Sequence, residues 1–161
     1  MIFRGVMPPA AYYRGTMTTF RSFIVLLLLG GLAAAPAPAA ENPLALLPLY
    51  EKVASALCAD DLTAAKAAAR ILATEAVRLH HDGIASSAAA VARADGIAAA
   101  RASFKALSTP TIALAQHAKG YFILTCPMAQ ADWVQSTRKV ANPYLGRDMF
   151  TCGTVMEETK G

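Results

Sequence analysis

Leu62-Thr-Ala-Ala-Lys66-Ala-Ala-Ala-Arg70-Ile-Leu72-Ala-Thr-Glu-Ala76-Val-Arg78-Leu79 is the stretch whose reading decides the fold. Leu62, Ala65, Ala69, Leu72, Ala76 and Leu79 recur at alternating spacings of three and four, the seam period of helices packed nearly antiparallel. Lys66, Arg70 and Arg78 fall off that seam, as a solvated face should. Asp60 and Asp61 are placed to cap the helix start. His81-Asp82-Gly83 offers a basic last turn with a glycine stop.

The same period extends outward in both directions. Leu46, Leu49, Val53 and Ala56 form an earlier seam, and Ile97, Ala100, Phe104, Leu107, Thr111 and Leu114 a later one, opened by Asp95 as a cap. Ile84, Ala88 and Val91 mark a shorter helix between them. Ser108-Thr109-Pro110 lies inside the last pattern, where a missing amide predicts a kink near Thr109. Short links between helices predict an all-α fold: an up-and-down four-helix bundle over residues 41–119, closed by an irregular Cys/Met/aromatic cap over 120–161. Together these make a single helical domain, 41–161.

Upstream, Phe23–Ala35 is an uncharged run that follows Arg21 and precedes the small-residue stretch Ala37-Pro-Ala-Ala40. Basic start, short apolar core and small-x-small site are the three parts of a secretory signal. Its thirteen residues reach only about 20 Å as a helix, short of the ~30 Å hydrocarbon layer, so residues 1–40 read as a signal peptide cut after Ala39 or Ala40. Met17 begins a cleaner signal than Met1, which leaves residues 1–16 as a start-site artefact or a long basic region. The reading implies a periplasmic protein with no permanent membrane anchor after cleavage.

Removing the signal changes the charge. The full chain carries +4, but from Glu41 onward twelve basic residues face eleven acidic ones, a net +1. The remaining basic residues are scattered singly, which argues against nucleic acid as a partner. The length of 161 residues excludes a Rossmann enzyme with a second domain or a TIM barrel. No Ser-His-Asp set, paired acid cluster, glycine-rich phosphate loop or H-E-x-x-H motif is present, so no catalytic machinery is visible and the chain reads as a non-enzyme.

Chemistry concentrates in the C-terminal zone. It contains Cys126-Pro-Met128-Ala, Asp132-Trp133, Asn142-Pro-Tyr144-Leu-Gly146 and Met149-Phe-Thr-Cys152-Gly153. Pro127 holds Cys126 and Met128 in an extended segment, and Met149 and Cys152 share a face if their segment is helical. Thiolate with thioether is the donor set that Cu(I) prefers. Equally, two cysteines 26 residues apart in an oxidising compartment can form an ordinary disulfide worth roughly 3 kcal/mol, with the methionines as core filler. On spacing alone a disulfide, a soft-metal site and free thiols all stay open, and reduction would convert the first into the second. Catalytic redox use of the pair lacks the C-x-x-C spacing that depresses a thiol pKa.

Other residues invite simpler readings. Cys58 reads as a small buried thiol, although an odd cysteine in a secreted protein can pair with a partner. His80 and His81 suit a helix end, where adjacent side chains point apart. His117 reads first as a helix-end histidine and second as an extra ligand near the sulfur zone. Trp133 and Tyr144 read as an aromatic plug, positioned by a turn at Asn142-Pro143.

CPMA, Trp133, NPYLG and MFTCG, after the helical segment Arg101-Ala-Ser-Phe104-Lys-Ala-Leu107-Ser108, resemble a family of secreted bacterial domains of unknown function. Its members stand alone or are appended to periplasmic adaptor subunits of heavy-metal efflux pumps. The resemblance covers most of the chain after residue 40 and implies a Cu(I)- or Ag(I)-related role, with a metal-efflux or metallochaperone protein as partner. Cys126, Met128, Met149 and Cys152 match the family's sulfur positions; Leu145 stands where the family has phenylalanine, the stretch before Trp133 is shorter, and Pro110 is an addition. The resemblance brings the metal reading level with its alternative, a disulfide-stapled interaction domain joined by Cys126 and Cys152.

Overall fold

A computed structural model describes residues 41–161; the signal peptide expected over residues 1–40 lies outside the described residues. The chain forms α1 (Leu46–Cys58), α2 (Leu62–Arg78), α3 (Asp82–Arg93) and α4 (Ile97–Ala115), then β1 (Lys119–Cys126), β2 (Ala131–Gln135) and β3 (Thr154–Lys160). None of the described helices is long and apolar enough to cross a membrane.

The helical seams fall where the spacing places them. Ala65, Ala69, Leu72 and Ala76 are fully buried along α2, as are Ala100, Phe104, Leu107 and Thr111 along α4. Each helix packs against the next, and α1 also against α4. Alanine lets these axes approach closely but buries little area. Larger buried side chains such as Phe104, Leu46, Leu57, Leu72, Ile84 and Leu107 therefore contribute more per residue, at about 1.5–3 kcal/mol each on burial.

The helix ends differ from expectation in instructive ways. Asp61 alone caps α2, accepting from the Ala64 amide at 2.9 Å. Asp60 instead adopts the left-handed conformation, φ 59°, in the turn that stops α1. The Asp61 amide donates back to the Ala56 carbonyl and the Asp60 amide to that of Leu57, a Schellman closure. The end of α2 repeats it with His80 at φ 58°, so His80 is the stop and Gly83 lies inside α3. Gly96, rather than Asp95, occupies the N-cap of α4, and α4 continues through Pro110.

The expected all-α fold with an irregular cap is corrected by the sheet. Residues 119–160 contain a three-stranded antiparallel sheet in the order β2-β1-β3, so the domain mixes helices with a smaller sheet. The cause is visible in β1, whose central Phe122, Ile123 and Leu124 are all buried. A short strand covered on both faces gives a continuous apolar run with no alternation to mark it. Leu124 pairs with Trp133 of β2 and with Val155 of β3, and Cys126 pairs with Ala131 at the end of the hairpin. β2 packs on α4, joining sheet and helices into one core.

Candidate functional site

The site begins with one face of α4. Arg101, Phe104, Leu107 and Ser108 recur at helical spacing and all project toward the Asn142–Gly146 loop or the core beside it. The Arg101 guanidinium donates to the carbonyls of Pro143 at 3.1 Å and Leu57 at 3.0 Å, and pairs with the Asp60 carboxylate. Phe104 lies between Tyr50, stacked at 4.9 Å between ring centroids, and Tyr144 at 5.7 Å. The Ser108 hydroxyl is within 2.7 Å of the Tyr50 hydroxyl and 2.9 Å of that of Tyr144, which donates to the Asp132 carbonyl at 2.6 Å. Helix and sheet are thus linked by a buried hydroxyl chain. Tyr50 and Arg101 are the positioning residues that single-residue reading of the sequence overlooks.

Gly146 sits at φ 59° directly against Arg101 and Asp60, where an added Cβ would collide with both side chains. The Asp60 carboxyl is held below the usual carboxylate range by the Arg147 amide first and the Arg101 guanidinium second. A depressed folded value means that Asp60 contributes stability fully above its unfolded pKa of about 4, and loses it as pH falls through the folded value. The melting temperature of the wild type is expected to fall more between about pH 5 and pH 3 than that of Asp60→Asn, which retains the left-handed turn. Parallel pH profiles for the two proteins would contradict this role.

The loop holds the second cysteine. Asn142 is fully buried; its Oδ1 accepts from the amides of Tyr144 at 2.8 Å and Leu145 at 3.1 Å, and its Nδ2 donates to the Cys152 carbonyl at 2.6 Å. The Cys152 amide donates to the Met149 carbonyl at 3.0 Å. Gly153 follows at φ 141°, where a Cβ would lie 2.6 Å from the Trp133 ring and 2.9 Å from the Thr125 carbonyl. Backbone bonds on both sides and the indole beneath therefore fix Cys152 beside the end of β1.

Cys126 and Cys152 converge there with 3.1 Å between their sulfurs. Cys126 is fully buried and Cys152 half-buried. Burial pushes the Cys126 thiol up, but the Ala129 amide, the Cys152 thiol, the Met128 amide and the Asn142 side chain together outweigh it and leave it below its ordinary value. Cys152 moves up, first because it donates to Cys126 and then through burial. The hairpin turn thus makes Cys126 the more acidic sulfur by a route other than C-x-x-C spacing.

Met128 lies in the β1–β2 turn and Met149 in the short 3-10 segment Gly146–Met149, with exposures of 65% and 39% that leave both side chains accessible to solvent. Neither is the core filler of the disulfide reading. His117 is exposed just before β1, roughly 23 Å of strand from Cys126, so the structure separates it from the sulfurs. Cys58 is buried at the end of α1, and burial pushes its thiol up to about 11. His80 and His81 occupy the α2–α3 junction. Among the described residues no three His, Cys, Asp or Glu side chains gather into a metal-binding group. A metal at this site would therefore depend on the cysteine pair and thioether sulfur.

Trp133 and Tyr144 are buried and meet edge to face at 6.0 Å, as an internal plug would. Comparison with protein-family models, curated proteins and solved structures finds no match to the chain.

Proposed function

We propose that the protein is a periplasmic soft-metal handling module that takes Cu(I) or Ag(I) as cargo and delivers it to an efflux or metallochaperone partner. The observation that carries this reading is the approach of Cys126 and Cys152 to 3.1 Å across 26 residues of sequence. Solvent-accessible Met128 and Met149 sit on the two segments that carry the cysteines. Two thiols that release their protons on binding supply, as thiolates, the charge that a monovalent soft cation seeks, and exposed thioethers can exchange it with an incoming partner. The acidic Cys126 favours the deprotonated ligand that metal binding needs. The periplasmic part of the proposal rests on the signal-like sequence of residues 1–40.

The same short separation, with Cys126 fully buried, favours a second reading in which the pair is a disulfide that staples the sheet of an interaction domain. Titration of the reduced protein with Cu(I) against a chelator separates the two. Cys126→Ser is expected to weaken Cu(I) binding by at least about a hundredfold, and Met128→Leu with Met149→Leu by about tenfold to a hundredfold. The methionine variants should keep their unfolding free energy within about 0.5 kcal/mol, because the side chains are exposed. A reduced wild type that never competes for copper eliminates the metal reading.

A further inference from the structure

We infer that the Cys126–Cys152 pair undergoes thiol–disulfide exchange with small thiols, and that the exchange has a fixed polarity: Cys152 is the sulfur attacked and Cys126 the sulfur that leaves. Three features of the site support this. The two sulfurs stand 3.1 Å apart, so closing the bond to about 2.05 Å requires little movement. Their backbones are held without that bond, Cys126 by its place at the end of the central strand and Cys152 by the Asn142 and Met149 hydrogen bonds. The surroundings of the two sulfurs are unequal. Cys152 is half-buried, whereas Cys126 is fully buried and has the Ala129 amide directed at its sulfur at 3.5 Å.

In the reductive direction an incoming thiolate attacks the Cys152 sulfur, and a new bond forms between them as the Cys126–Cys152 bond breaks. Cys126 departs as a thiolate that accepts the Ala129 amide. A second thiolate then attacks the small-molecule sulfur of the mixed disulfide and releases Cys152. The two external thiols are oxidised to their disulfide, the protein disulfide is reduced, and the two protons the thiols give up end on the protein cysteines. A leaving sulfur stabilised by a hydrogen-bond donor accelerates the first step. Only the dithiol can present a thiolate pair to a soft cation, so the exchange would also gate metal uptake; that consequence, unlike the exchange itself, rests on the proposed metal reading.

The test uses oxidised protein mixed with reduced glutathione, quenched in acid and mapped by peptide mass spectrometry. Glutathione is expected on Cys152 in at least about tenfold excess over Cys126. In the reverse direction access decides the rate: glutathione disulfide should modify the half-buried Cys152 of a Cys126→Ser protein at least about ten times faster than the fully buried Cys126 of a Cys152→Ser protein. Adduct mainly on Cys126 overturns the proposal, as does a disulfide that glutathione reduces only after the protein is denatured. Mapping the wild type keeps the test decisive should either variant fold poorly. Exchange at Cys152 in a protein whose reduced form ignores Cu(I) would remove the metal reading and leave the exchange standing.

Discussion

Asn142→Ala is expected to lower the free energy of unfolding by about 3–5 kcal/mol, measured by chemical denaturation. The truncation leaves the Tyr144 and Leu145 amides and the Cys152 carbonyl without the partners they have at 2.8, 3.1 and 2.6 Å. Each buried polar group stranded in this way costs about 1–3 kcal/mol, and the exposed edge of the loop regains part of that through water. The loss has a second consequence, because Asn142 is what ties the Cys152 backbone to the loop. Copper affinity of the reduced variant is expected to fall by about tenfold to a hundredfold, the range for a residue that orients a metal ligand. A variant that loses less than about 1 kcal/mol would show that the loop is held chiefly by Arg101 and Gly146.

Trp133→Ala should cost a similar amount, about 3–5 kcal/mol, by a different mechanism. The indole is fully buried, packs edge-on against Tyr144 and donates to the Gln135 side chain at 3.0 Å. Its removal opens a cavity under Gly153, whose missing side chain is what allows the ring to lie there. Trp133→Phe keeps part of the ring and removes one donor from Gln135 Oε1, which still accepts from the Ala141 amide, so its loss should be smaller than that of the alanine variant. Equal destabilisation by the two would mean that the indole hydrogen bond, rather than ring volume, holds this corner.

The helical half of the domain was legible because its pattern is local. A seam such as Ala65, Ala69, Leu72 and Ala76 is written at fixed spacing and needs no knowledge of its neighbours. The sheet was not legible in the same way. Phe122-Ile-Leu124 reads as an apolar run in any context, and β3 contains Met156, Glu157 and Glu158, all exposed and without a clear alternation. Its residues pair with partners 29 or more residues earlier in the chain. Convergence of the cysteines follows from that nonlocal pairing, so the sequence could nominate Cys126 and Cys152 but not their separation. The two methionines could be nominated on the same grounds, while their exposure depended on knowing which segments turn outward. Arg101 and Ser108 were visible only as parts of a pattern; the loop they hold gives that pattern its physical reason. His117 lies at the end of α4, as its first reading has it; the second, as an extra ligand, overlooked the length of strand between it and the sulfurs.

The strand order β2-β1-β3 places the two cysteines on parts of the molecule that open at different cost. Cys126 ends the strand that is bonded along both edges, while Cys152 lies just before β3, which is bonded along one edge only. A strand fastened on a single side detaches in smaller fluctuations than the core it leaves. Separation of the sulfurs therefore does not require unfolding of the domain: fraying of β3, together with release of the Asn142 and Met149 hydrogen bonds that hold Cys152, carries one sulfur away while the other stays in its turn. The sulfur pair is a clasp with one fixed jaw and one moving jaw.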